Sequence, residues 1–129
     1  MPVAATTAQS PNKIAVALKA YTRITDIWQL SIREAAGLAD MSESTWKRAK
    51  NPGFAGTLTQ DQMLRLSAVI GIHKALVLYF SEPLAQTWMS RANCGPLFGG
   101  RRPVDTAIAG GLPMILSVRT YLDALRGGA

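Results

Sequence analysis

Apolar residues recur along this chain at spacings of three and four, and nowhere do they alternate with polar ones over the length of a strand. That spacing lines one face of a 3.6-residue repeat, whereas a half-buried strand needs a period of two. The expectation is an all-α fold. Ile14, Ala17, Leu18, Tyr21, Ile24, Ile27 and Trp28 place a first helix from Lys13 to near Gln29. The preceding residues 1–12 are mostly Ala, Thr, Ser, Pro and Asn and cannot bury enough surface to offset their ordering entropy, so they read as a mobile tail.

Capping chemistry divides the rest. Ser31 with Glu34 forms a capping box for a short helix through Leu38, closed at Asp40. Ser42 caps a third helix from Glu43 to Lys50, which Asn51, Pro52 and Gly53 end. Thr59 and Gln62 repeat the capping-box pattern before a long run through Met63, Leu66, Val69, Ile72 and Leu76 to Phe80. That run is apolar on more than one face, so it either lies between two domains or contributes to a dimer. A break near Ile70 is expected if Gly71 weakens the helix, since Gly costs about 1 kcal/mol against Ala there. Ser81, Glu82 and Pro83 begin another helix through Arg91, with Pro83 in its first turn. A loop over 92–100, a helix over 103–109 and a final helix over 113–126, stopped by Gly127, complete the chain. The domain reading is a tail over 1–12, a helix-turn-helix and dimerisation unit over 13–80, and a separate unit over 81–129.

The short second and third helices, three residues apart, form a helix-turn-helix. Ala35 and Ala36 allow a close crossing, and Met41, Trp46 and Ala49 fall inward. Ser42, Ser44, Thr45, Lys47, Arg48, Lys50 and Asn51 are left largely outward, the residue types that meet base edges and phosphates in a major groove. The alternative is a structural platform whose charges are simply solvated.

Leu97–Asp105 reads LFGGRRPVD. Gly99 and Gly100 permit a turn that side chains would obstruct, and Pro103 suits the first helical turn. Arg101 and Arg102 then stand at a helix N-terminus, against the macrodipole. Either they are merely solvated, or something outside this domain answers them. In the final helix Met114, Ile115, Val118, Tyr121, Leu122 and Leu125 form a core-facing stripe, with Arg119, Asp123 and Arg126 off it. The ending Gly127, Gly128, Ala129 is small enough to enter a neighbouring cleft, or is a frayed terminus.

Composition narrows the function classes. At 129 residues and 48% hydrophobic content the chain builds one or two small domains with a real core. Fourteen Lys and Arg against eight Asp and Glu give +6, which suits a polyanionic partner. No stretch approaches the ~20 apolar residues of a membrane span, and the first residues lack a signal-peptide pattern, so no membrane partner is expected and the cytoplasm is the default compartment. Cys94 and His73 are the only residues of their kinds. No intrachain disulfide, metal site or cofactor is therefore expected, and His73 reads as an ordinary helix residue. With no paired carboxylates at a recognisable spacing, no phosphate loop and no positioned nucleophile, the chain is not expected to be an enzyme.

Trp88, the LFGGRRPVD loop, the Gly110-Gly111-Leu112-Pro113 connector and the YLDALRGG ending, in that order, resemble the toxin-binding domain of the Xre/MbcA/ParS antitoxins. The helix-turn-helix resembles Xre-type domains, with Asp40 where such turns usually carry glycine. The resemblance implies a type II antitoxin, binding operator DNA of its own operon as a homodimer. It also implies a toxin partner of the RES or ParT kind, related to ADP-ribosyltransferases and consuming or transferring from NAD. The toxin-binding positions it implies are Trp88, Phe98, Gly99, Gly100, Arg101, Arg102, Pro103, Asp105, Tyr121, Leu122, Arg126 and Gly127, with the ending Gly128 and Ala129. Trp88 and Phe98 are open to a core role instead. A stand-alone dimeric helix-turn-helix regulator is the alternative.

Overall fold

The computed structural model describes residues 10–127. Among them there are six α-helices, one 3₁₀ turn and no strand. They are α1 (Pro11–Ile27), α2 (Ile32–Leu38), α3 (Glu43–Ala49), α4 (Gln60–Tyr79), α5 (Leu84–Thr87) and α6 (Pro103–Arg126), with the 3₁₀ turn Trp88–Ser90 after α5. The all-α expectation holds.

Helix starts follow the side-chain chemistry. Ser10 caps α1 by accepting from the Lys13 N–H, with Pro11 in the first turn. Pro11 and Asn12, expected in the tail, therefore belong to a helix: a capping serine followed by proline is a start signal that outweighs the sparse apolar content. The rest of that tail, 1–9, lies outside the described residues, as do Gly128 and Ala129. Both predicted capping boxes are present, Ser31 with Glu34 and Thr59 with Gln62. The turn between α2 and α3 puts Asp40 at φ 58°, the left-handed region that Asp enters more readily than most residues. Its carbonyl accepts from Gln62 Nε2 at 2.9 Å, which ties the turn to the start of α4.

α4 runs unbroken through Gly71. The glycine has a packing reason: a Cβ there would meet the Arg119 guanidinium from α6. Its buried side, with Leu66, Val69, Ile72 and Leu76, lies between α1 and α6, and one continuous core runs from Ile14 to Leu122. Tyr21 joins the first three helices. Its hydroxyl donates to the Ala35 carbonyl at 2.7 Å, and its ring stands edge-on to Trp46 at 5.3 Å.

One C-terminal expectation changes and one holds. The helix predicted through Arg91 is α only from Leu84 to Thr87, with Pro83 at the cap position and no side-chain cap bond, and it tightens into the 3₁₀ turn. A four-residue helix lacking a capping side chain has too few bonds to propagate. The two helices predicted around the glycine–proline connector are present: α6 is broken at Gly111, whose φ of 69° and ψ of −158° are not helical, so the run is two helices meeting at a kink. In the second half Ile115, Val118 and Leu122 are fully buried, Met114 and Tyr121 are half-buried, and Leu125 is exposed.

Candidate functional site

The first candidate face is α3. Ser42, Ser44, Lys47, Arg48, Lys50 and Asn51 are exposed and Thr45 half-exposed, while Trp46 and Ala49 anchor the helix from beneath. Ser42 is committed to the cap. Its hydroxyl accepts from the Thr45 N–H at 3.1 Å and donates to Thr45 Oγ1 at 2.9 Å. Asn51 donates to the Lys47 carbonyl at 3.1 Å and closes the other end. Lys47, Arg48 and Lys50 have no ion-pair partner among the described residues. The free polar chemistry of α3 is thus cationic, with Ser44 at its rim.

The second candidate face is the loop before α6. Phe98, 1% exposed, plugs it into the core between Trp88 and Tyr121, with ring centroids 5.6 and 5.2 Å away and both contacts near-perpendicular. Trp88 and Phe98 are therefore core side chains, and Tyr121 is half-buried beside them. Asn93, which nothing in the spacing marked, is the loop's clasp. Its N–H donates to the Arg101 carbonyl at 3.0 Å, its carbonyl accepts from the Gly100 N–H at 2.8 Å, and its side-chain oxygen accepts from the Gly95 N–H at 2.8 Å. Between these ties Gly99 and Gly100 take φ 59° and 89° with open space where side chains would be. The result is a rigid loop with a bare backbone tip.

Arg101 and Arg102 part company at this point. Arg101 is exposed and has no ion-pair partner among the described residues. Arg102 is not merely solvated, one of the two readings open from sequence: it is answered within the chain, by Asp105 of its own helix and by Glu34 of α2. It donates through Nε and Nη2 to the two oxygens of Asp105, each at 2.8 Å, and through Nη2 to Glu34 Oε2 at 2.6 Å. Asp105 and Glu34 are each the third residue of their own helix, so the carboxylates offset the cation that would oppose the dipole there. Asp105 is held below the usual carboxylate range, first by its bonds from Arg102 and last by the nearby Arg101 charge. Partial burial pushes the Glu34 carboxyl up, but the Ser31 N–H and Arg102 outweigh it and its pKa is lowered. Pro103, next in sequence to Arg102, is buried.

At the far end of α6, the Arg126 guanidinium lies 5.8 Å from the Tyr79 ring centroid, and Tyr79 donates to Asp123 at 3.0 Å. Leu78, Tyr79, Phe80, Leu125 and Arg126 line a shallow groove. Leu78 and Leu125 are exposed in it, although Leu125 falls in the stripe that the spacing predicts to face the core. Gly127 ends the helix in a right-handed conformation. No helix among the described residues is long and apolar enough to cross a membrane, and these residues hold no cluster of His, Cys, Asp and Glu suited to a metal.

An α2-turn-α3 unit presenting cations, joined through a long central helix to a helical half with a clasped glycine loop, defines a helix-turn-helix protein with an appended helical interaction unit. Comparison gives the family. Residues 10–71 match the antitoxin Xre-like helix-turn-helix domain, and residues 75–128 match the antitoxin Xre/MbcA/ParS C-terminal toxin-binding domain. The chain is also 38% identical over 118 residues to the uncharacterized protein y4oB of Sinorhizobium fredii (strain NBRC 101917 / NGR234), covering 90% of this chain and 88% of that one. No solved structure matches significantly. The chain belongs to the Xre/MbcA/ParS antitoxin family. Residues between the two matched spans fall inside α4, so that helix is shared by both halves.

Proposed function

We propose that this chain neutralises a toxin of the RES or ParT kind, one that consumes NAD or transfers ADP-ribose from it, and that it represses its own operon through the helix-turn-helix. The observation carrying this reading is the pairing, in one rigid chain, of an unpartnered cationic α3 with a clasped, bare-backbone loop that lies inside the span matching a toxin-binding domain. A regulator that only bound DNA would have no need of the second feature. Gly99, Gly100 and Arg101 are the loop's contribution to the toxin surface, and Arg126 with the ending beyond it is the helix's contribution. Trp88, Phe98, Pro103 and Asp105 act from beneath by holding the loop in shape, as does Arg102.

Co-expression with the product of the adjacent gene tests the toxin half. Arg101→Glu reverses an exposed charge and removes none of the bonds of the bridge, withdrawing only its through-space attraction for Asp105, and like-charge contact at an interface lowers affinity a hundredfold or more when it costs about 3 kcal/mol. Arg101→Glu and truncation after Leu125 are each expected to abolish rescue and to restore NAD consumption in a purified mixture, while circular dichroism stays helical. If both variants neutralise as the parent does, the toxin surface lies elsewhere. If the neighbouring product is no toxin at all, a stand-alone regulator is the better reading. For the DNA half, Lys47→Ala with Arg48→Ala is expected to weaken binding to the chain's own upstream region and leave neutralisation intact.

A further inference from the structure

Arg33 and Arg101 are the sequence neighbours of Glu34 and Arg102, the two residues that join α2 to the loop before α6. The 2.6 Å bond between those two therefore brings the backbone of both neighbours to one junction, where α2 meets the loop before α6. Arg33 and Asp105 line the same shallow groove between α2 and the first half of α6, and the Arg101 charge is felt at that Asp105. Arg33 and Arg101 are exposed, and neither has an ion-pair partner among the described residues. The carboxylates at this edge, Glu34 and Asp105, are both held by Arg102 and sit further in. Three arginines against two carboxylates leave one net positive charge, with the two unpartnered guanidinium groups outermost. Arg101 adds a through-space attraction to Asp105, but among the described residues neither Arg33 nor Arg101 makes an ion pair, so both guanidinium groups keep their donors free for an outside ligand.

In helix-turn-helix docking the second helix enters the major groove while the first crosses the phosphate backbone. In this chain α2 is that first helix. We propose that Arg33 and Arg101 form a second phosphate-contact patch, distinct from the cations of α3, that grips the DNA backbone beside the groove α3 enters. The inference rests on the DNA-binding reading above, and it draws a residue of the C-terminal half into DNA binding. Phosphate is the ligand because the two groups are exposed guanidinium forks with free donors, and neither lies on the helix that reads base edges.

The test is the salt dependence of binding to a fluorescein-labelled 30-base-pair duplex of random sequence, read by anisotropy on the full chain. Each phosphate contact contributes about 0.9 to the slope of log K against log salt. Arg33→Ala with Arg101→Ala is expected to flatten the slope by about 2, and Arg33→Lys with Arg101→Lys to restore it, since a point charge suffices for phosphate. Arg23→Ala with Lys19→Ala removes the same formal charge from exposed sites on α1, and is expected to leave the slope unchanged. The patch is overturned if the Arg33 and Arg101 pair leaves the slope intact while Lys47→Ala with Arg48→Ala lowers it, an outcome that preserves DNA reading by α3. It is also overturned if both double variants outside α3 flatten the slope equally, which would make the effect one of net charge. A parent chain that does not bind the duplex refutes the DNA reading itself, and the patch with it.

Discussion

Arg102 and Glu34 stand 68 residues apart and meet at 2.6 Å, and the carboxylate that receives the guanidinium also closes the capping box of α2 through its other oxygen, 2.9 Å from the Ser31 N–H. One side chain thereby ends one helix correctly and ties it to the start of another. The pair is partly exposed, with side-chain accessibilities of 38% and 21%, so screening limits its strength. Glu34→Gln separates the two roles, because glutamine keeps a capping box and loses the charge. A double-mutant cycle of Glu34→Gln with Arg102→Ala, followed by urea unfolding, is expected to give a coupling of about 1 kcal/mol. A coupling indistinguishable from zero would reduce the bridge to a surface contact.

The same bridge has a pH signature. Glu34 and Asp105 both titrate below their ordinary values when folded, so the stability they contribute is fully present above the usual carboxylate range and is lost as the pH falls through their folded values. Arg102 stays charged throughout, its pKa raised first by its bonds to Asp105. The difference in urea midpoint between the parent and Arg102→Ala is therefore expected to be constant near neutrality and to shrink as the pH falls below about 4. A gap that persists unchanged into strong acid would mean that Arg102 stabilises through packing of its stem, not through charge.

The turn of the helix-turn-helix gives a backbone prediction. Asp40 holds φ 58°, where a Cβ costs about 1–2 kcal/mol in most L-residues and less in Asp. Glycine removes that strain but enlarges the freedom of the unfolded chain by about 0.5–1 kcal/mol. These effects nearly cancel, so Asp40→Gly is expected to unfold within about 0.5 kcal/mol of the parent. Asp40→Val adds β-branching to the strained position and is expected to cost about 2 kcal/mol. The Gln62 bond goes to the Asp40 carbonyl and survives every one of these changes.

What was legible in the sequence is what local chemistry decides. Ser31 with Glu34, Thr59 with Gln62, the inward Met41, Trp46 and Ala49, and the bend between Gly110 and Pro113 all depend on residues within a few positions of one another, and all stand as read. Asp105, three residues after Arg102, lies within reach of a spacing rule, but Glu34, 68 residues away, does not, and it is the Glu34 bond that ties the loop to α2. Gly71 reads as a weak point in sequence because the Arg119 side chain that occupies its open face comes from α6, beyond any local spacing. Asn93 carries its loop through two backbone bonds and one side-chain bond, a role that any sequence position with an adaptable amide can fill.

The remaining prediction concerns the outer side of α4. Its inner side is covered by α1 and α6, yet Leu64, Val77 and Leu78 are 47%, 57% and 71% exposed. Leu64 and Leu78 lie 14 residues apart, about 21 Å along the helix axis. Gly71, midway between them on the same line, is covered by Arg119 of α6, so the two leucines expose the two ends of α4 and not one continuous stripe. Each end offers an apolar patch that a second copy can cover. The chain is therefore expected to sediment as a dimer in the micromolar range, and Leu64→Glu with Leu78→Glu to give a monomer of unchanged helicity, because neither side chain reaches the core. A parent chain that sediments as a monomer across that range removes α4 as a dimer contact. A dimer that survives both substitutions moves the contact to another face, with the groove between Leu78 and Leu125 excluded by the same experiment.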